Sequence, residues 1–137
     1  PLGMEQNAEW TTDELGIEKT FCCIQSNARD FAKLGSLLLN GGKFENVPLI
    51  DEKFISQMIT PTQNSNGVYG MGVWTNYDSK IHHYYLRGLY GQYVIVVPEY
   101  DMIIVRFGNK EGEQKDLKNR PAEVEFYIDE ALKLTQK

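Results

Sequence analysis

Long apolar runs, clustered positive charge and spaced cysteines are all missing from this 137-residue chain. No apolar stretch approaches the ~20 residues a membrane-spanning helix needs, so no span is expected. Lys and Arg number 14 against 19 Asp and Glu, a net charge of −5, and no basic cluster exceeds two residues. Nucleic acid is therefore an unsuitable partner, because phosphate contacts need a concentrated Lys/Arg patch. The only two cysteines, Cys22 and Cys23, are adjacent. Neighbouring residues seldom meet disulfide geometry and two cysteines make no scaffold, so they read as small buried residues on a strand or loop. Self-sufficient catalytic signatures are missing too: there is no Gly-x-Ser-x-Gly elbow, phosphate-binding glycine loop or His-Glu-x-x-His. His82 and His83 would face opposite sides of a strand and cannot share a metal. The carboxylates are scattered, with no evident pair in an apolar setting.

What is present fits one folded domain. The chain is 42% hydrophobic, 24% charged and 12% aromatic, enough for a core and unlike a disordered composition. Its most apolar part is Tyr84–Gly108. Gly91–Val97 and Met102–Phe107 are rich in β-branched and aromatic residues and predict strands. The cluster Pro98-Glu99-Tyr100-Asp101 between them is short enough to make them antiparallel neighbours. Tyr93, Ile95 and Val97 alternate with Val94 and Val96, so both faces are apolar. Such a strand belongs at the centre of a sheet with a layer on each side.

Pro1-Leu2-Gly3 ahead of Met4 resembles the remnant of a protease site and is set aside. Glu5–Lys19 reads as irregular chain anchored by Trp10 and turning at Gly16, and Thr20–Ile24 as a short strand or buried extended segment. Asn27 suits a helix N-cap, with Asp30 placed to answer its backbone N–H in a capping box. Ala28, Phe31, Ala32, Leu34, Leu38 and Leu39 form the apolar stripe, and Asn40-Gly41-Gly42 stops the helix. Lys43–Ile50 is a short excursion. Asp51 caps a second helix, with Phe54, Ile55, Met58 and Ile59 facing inward and Thr60-Pro61 ending it. A polar loop over Thr62–Gly67 leads to a strand over Val68–Thr75, where Gly70 and Gly72 imply close approach of another backbone or a ligand. A turn over Asn76–Lys80, a strand over Ile81–Leu86 and a kink over Gly88–Gly91 come next. Asn109–Asn119 is a charged, mobile loop. Pro121 opens a final helix with Val124, Tyr127, Ile128, Ala131 and Leu134 inward. The class is α+β, an antiparallel sheet flanked by helices.

Several segments carry a family resemblance. Asn27-Ala28-Arg29-Asp30-Phe31-Ala32-Lys33-Leu34-Gly35 with Leu38-Leu39-Asn40-Gly41-Gly42 resembles a helix of the serine β-lactamase-like hydrolases, which include class C β-lactamases, penicillin-binding proteins and related esterases and amidohydrolases. Tyr69–Trp74, Gly88–Tyr93 and Val97–Val105 resemble the same family's later strands, in its order and spacing. The likeness is to the C-terminal part of that fold. The family's Ser-x-x-Lys nucleophile motif is missing, as is its Tyr-x-Asn or Ser-x-Asn motif. Its Lys-Thr/Ser-Gly triplet falls on Leu86-Arg87-Gly88, so the lysine is not kept.

The resemblance implies that the residue after the motif glycine, Leu89, offers its backbone N–H to a developing oxyanion, the kind of fixed donor acyl transfer needs. Gly88 would leave room for a small amide or ester substrate. Arg87 either holds a carboxylate or is a surface strand residue, and Tyr90 either lines the site or packs beneath it. No cofactor or metal is implied, and the family's usual compartment would be the periplasm. The chain would be a fragment of a serine hydrolase, inactive alone. The alternative is a non-catalytic interaction domain that associates, with itself or another chain, through an exposed sheet edge.

Overall fold

The computed structural model describes residues 1–20 and 22–135. Three layers build it, and a four-stranded antiparallel sheet is the middle one. Its strands are β5 (Trp74–Asn76), β6 (His83–Arg87), β7 (Tyr93–Val97) and β8 (Met102–Arg106), each pairing with its sequence neighbour. Before them come β1 (Glu9–Trp10), β2 (Ile24–Gln25), α1 (Ala28–Leu39), β3 (Lys43–Phe44), β4 (Val47–Pro48) and α2 (Glu52–Ile59), and α3 (Glu123–Thr135) follows. The small strands form two separate pairs, β1 with β2 and β3 with β4.

The alternation in β7 sorts the core as the residue pattern requires. Tyr93, Ile95 and Val97 join Tyr85, Val124 and Ile128 beneath α3. Val96 joins Tyr84, Leu38, Ile55 and Val73 beneath α1 and α2. Complete burial of each Ile or Val is worth roughly 1.5–3 kcal/mol, and all five β7 residues are buried. Pro98–Tyr100 is one 3-10 turn and Asp101 takes a left-handed conformation, which closes the β7–β8 hairpin.

α1 starts and stops where its sequence signals lie. Asn27 Oδ1 accepts from the Asp30 N–H at 2.8 Å, and Asn40 is the C-cap ahead of Gly41 and Gly42, both with positive φ. The capping box closes differently from the expectation. The Asp30 carboxylate takes the Asn27 side-chain amide (3.1 Å) and the backbone N–H groups of Glu5 (2.7 Å) and Gln6 (3.3 Å), and so pins the N-terminal segment instead of the Asn27 backbone. The first three residues, set aside from the sequence, pack as part of this arrangement: Leu2 is buried and the Gly3 carbonyl accepts from Lys33 Nζ.

Other expectations shift. Cys22 and Cys23 are joined in a disulfide, and Cys23 is exposed. The left-handed backbone at Cys23 (φ +75°) turns the chain there and brings the two sulfurs together. Phe21, within the predicted Thr20–Ile24 run, lies outside the described residues; Ile24 pairs with Trp10. The strand predicted over Val68–Thr75 is regular only from Trp74, because the chain reverses at Gly72 (φ +79°) and Tyr69 bridges Trp74. Gly70 does mark a close approach: a Cβ there would land on the Met58 carbonyl. In α2 the inward stripe is Ile55, Met58 and Ile59, leaving Phe54 half exposed at its rim. In α3 packing passes from Ile128 to Leu132, one turn on, and Leu134 points to solvent. Among the described residues no helix is long and apolar enough to cross a membrane.

Candidate functional site

The kink predicted from the glycines is the connection from β6 to β7. Arg87 ends one strand opposite Tyr93, which begins the other, and residues 88–92 loop between them. Gly88 N–H donates to the Gln92 carbonyl (2.8 Å), Gly91 N–H to the Gly88 carbonyl (3.2 Å), and Tyr90 N–H to Gln92 Oε1 (3.1 Å). Gln92 Nε2 in turn donates to the Gly108 carbonyl at 2.9 Å, tying the loop to the end of β8. Gly91 has φ +78°, a conformation that costs glycine little.

Leu89 sits at the tip of this loop, 81% exposed. Its neighbours' N–H groups are all spoken for, whereas its own finds no acceptor among the described residues. Tyr90 is exposed as well. Beside Gly88 the space a Cβ would fill is taken by the Gln92 side chain.

Arg87 is only slightly exposed and already engaged. Its Nε donates to Glu111 Oε1 at 2.6 Å, and its guanidinium lies 4.8 Å from the centre of the Trp74 ring. Burial alone would lower its pKa, but the hydrogen bond and charge of Glu111 outweigh that and raise it. Glu111 also meets Lys115 Nζ at 2.5 Å through Oε2 and the Tyr93 hydroxyl at 3.1 Å through Oε1. Burial raises the Glu111 carboxyl, yet Arg87, Lys115 and Tyr93 together pull it down to about 2. The Tyr93 hydroxyl lies 2.7 Å from Glu123 Oε1, a stronger bond than its approach to Glu111. Desolvation and the two carboxylates push Tyr93 far above its ordinary range, so it stays a neutral donor.

Sequence reasoning found the kink and Arg87 but missed Glu111 and Glu123. Two carboxylates do meet at one buried hydroxyl, contrary to the expectation of scattered acids. Glu111 carries no local signal, sitting in a charged loop without periodicity, and Glu123 looks like any acid in the first turn of a helix. The histidines behave as filler: His83 is buried with Nδ1 2.8 Å from the Ile81 carbonyl, and burial lowers its pKa.

No family model matches this sequence, and no curated protein matches it. A solved structure does, described as "Putative 6-aminohexanoate-dimer hydrolase from Bacillus anthracis". It aligns with 98% of this chain at 25% identity and a TM-score of 0.78. The fold is β-lactamase-like. The alignment takes in 36% of that protein, so this chain spans about a third of its length. The order of helices and antiparallel strands that the residue resemblance implied is therefore the order observed.

Proposed function

We propose that this chain is the C-terminal segment of a β-lactamase-related serine hydrolase and supplies one wall of its acyl-transfer cleft. The observation that carries the reading is the Leu89 N–H, which has no acceptor among the described residues and stands at the tip of a loop whose flanking amides are bonded. In the complete enzyme a serine oxygen attacks the amide or ester carbonyl, and the carbonyl oxygen gains negative charge. The Leu89 N–H donates to that oxygen, the amine or alcohol leaves with a proton, and water then hydrolyses the acyl-serine. The exposed Tyr90 side chain and the backbone at Arg87 and Gly88 border the substrate. The solved neighbour's name suggests a linear amide such as the 6-aminohexanoate dimer as the probe.

The chain itself carries no Ser-x-x-Lys, so alone it should turn over neither that dimer nor p-nitrophenyl acetate. A fluorophosphonate should label a longer protein bearing these residues at a serine outside positions 1–137. Labelling of a serine within 1–137, or saturable turnover by the isolated chain, would overturn the reading.

A second reading has its own observation. Among the described residues β8 pairs only with β7, leaving one edge of a five-residue strand, apolar in its first four residues, open. Such an edge is a template for another strand, which favours an association module.

A further inference from the structure

We propose that Glu111 is a positioning residue that fixes the kink 87–92 by acting through Arg87, making the segment between β8 and α3 a strap across the cleft wall. The inference rests on the reading of that kink as a cleft wall. Three groups from different places converge on one carboxylate: Arg87 Nε of β6 donates to it at 2.6 Å, Lys115 Nζ of the segment itself forms an ion pair with it at 2.5 Å, and the Tyr93 hydroxyl of β7 lies 3.1 Å away. The Trp74 ring from β5 leaves the Arg87 guanidinium little freedom on the other side. Arg87 is thus held between an acid and an aromatic face, and its position sets where the loop begins.

The far end of the loop is held by the same segment. A Cβ on Gly91 would lie 2.9 Å from the Lys110 carbonyl and 3.0 Å from Glu111 Cα, so the two backbones are in direct contact and only glycine fits. Arg106 Nη1 donates to both the Gly91 and the Lys110 carbonyls, joining kink to strap a second time. The Leu89 N–H lies between these two fixed points, at positions 87 and 91. A donor aimed at a transition state must be held to within a fraction of an ångström, and a three-residue tip between fixed ends provides that.

Amide hydrogen exchange on the chain itself tests the proposal. Glu111→Gln keeps the size of the side chain and removes its charge. Exchange at Gly88, Tyr90 and Gly91 should quicken about tenfold or more while Ile95 and Ile128 are unchanged. Arg87→Gln should give the same pattern, and adding Glu111→Gln to it should change the kink no further. Lys115→Met, which strips one partner from Glu111 and leaves Arg87 in place, should give a smaller change in the same direction. Unchanged exchange at the kink, equal acceleration at Ile95, or full additivity in the double variant would each overturn the proposal. The measurement involves no substrate. A longer protein that forms no acyl-serine would therefore remove the cleft reading and leave the clamp standing.

Discussion

The buried carboxylate of Asp30 in α1 accepts the backbone N–H of Glu5, 25 residues earlier, at 2.7 Å. Burial acts to raise the Asp30 pKa, but the N–H groups of Glu5 and Gln6 and the Lys33 ammonium hold it below its ordinary 3.8. A carboxyl lowered by folding stabilises the fold above its unfolded value, and that stability is lost as pH falls through the folded value. Asp30→Asn should therefore lower the urea midpoint near neutral pH. The gap from the parent chain should close below about 3.8, where the parent loses the same contribution. A gap independent of pH would argue that the charge is not what holds the segment.

Two glycines separate backbone contacts from side-chain contacts. A Cβ on Gly70 would meet the Met58 and Thr60 carbonyls, which are backbone and cannot yield. On Gly35 it would meet Ile103 Cγ2 at 2.8 Å and Val94 Cγ1 at 2.9 Å, side chains that can repack. Gly35→Ala should cost about 1–3 kcal/mol. Gly70→Ala should cost more than about 3 kcal/mol, or prevent folding, as judged by denaturant unfolding.

Two buried tyrosines should respond oppositely to loss of the hydroxyl. Tyr85 OH is buried with no hydrogen-bond partner among the described residues, so Tyr85→Phe should be neutral or stabilising by up to about 1 kcal/mol. Tyr93 OH donates to Glu123 at 2.7 Å and lies 3.1 Å from Glu111, so Tyr93→Phe should cost about 1.5–3 kcal/mol, the range for hydrogen bonds to charged groups. Thermal unfolding of the two variants side by side gives the comparison.

The open edge of β8 makes a separate prediction about association. Sedimentation of the isolated chain should show dimers that grow with concentration, and a strict monomer at high concentration would count against the association reading. A longer protein in which another strand covers β8 should lose the tendency.

Local signals made much of this fold legible. The Asn27 cap, the Asn40–Gly42 stop, the Asp51 cap and the two-faced pattern of β7 each depend on residues a few positions apart, and each lies where the sequence puts it. What stayed hidden depends on distance along the chain. Nothing near Asp30 announces that its partner is Glu5, and nothing near Arg87 announces Glu111, 24 residues on. The candidate site was half legible for the same reason: its glycines and Arg87 stand together, while the acid that orients them arrives from beyond β8. The Cys22–Cys23 disulfide was missed because a general rule about adjacent residues met a local exception at the Cys23 backbone.

The sheet joins each strand to the next along the chain, from β5 through β8. Such a meander closes only short loops, and short closures are quick. On loop-closure entropy alone, the kink between β6 and β7 is expected to close ahead of the more distant docking of α1 onto β7 and β8. A ribosome would release the strands, the kink and the segment that holds it in one continuous stretch, residues 74–115.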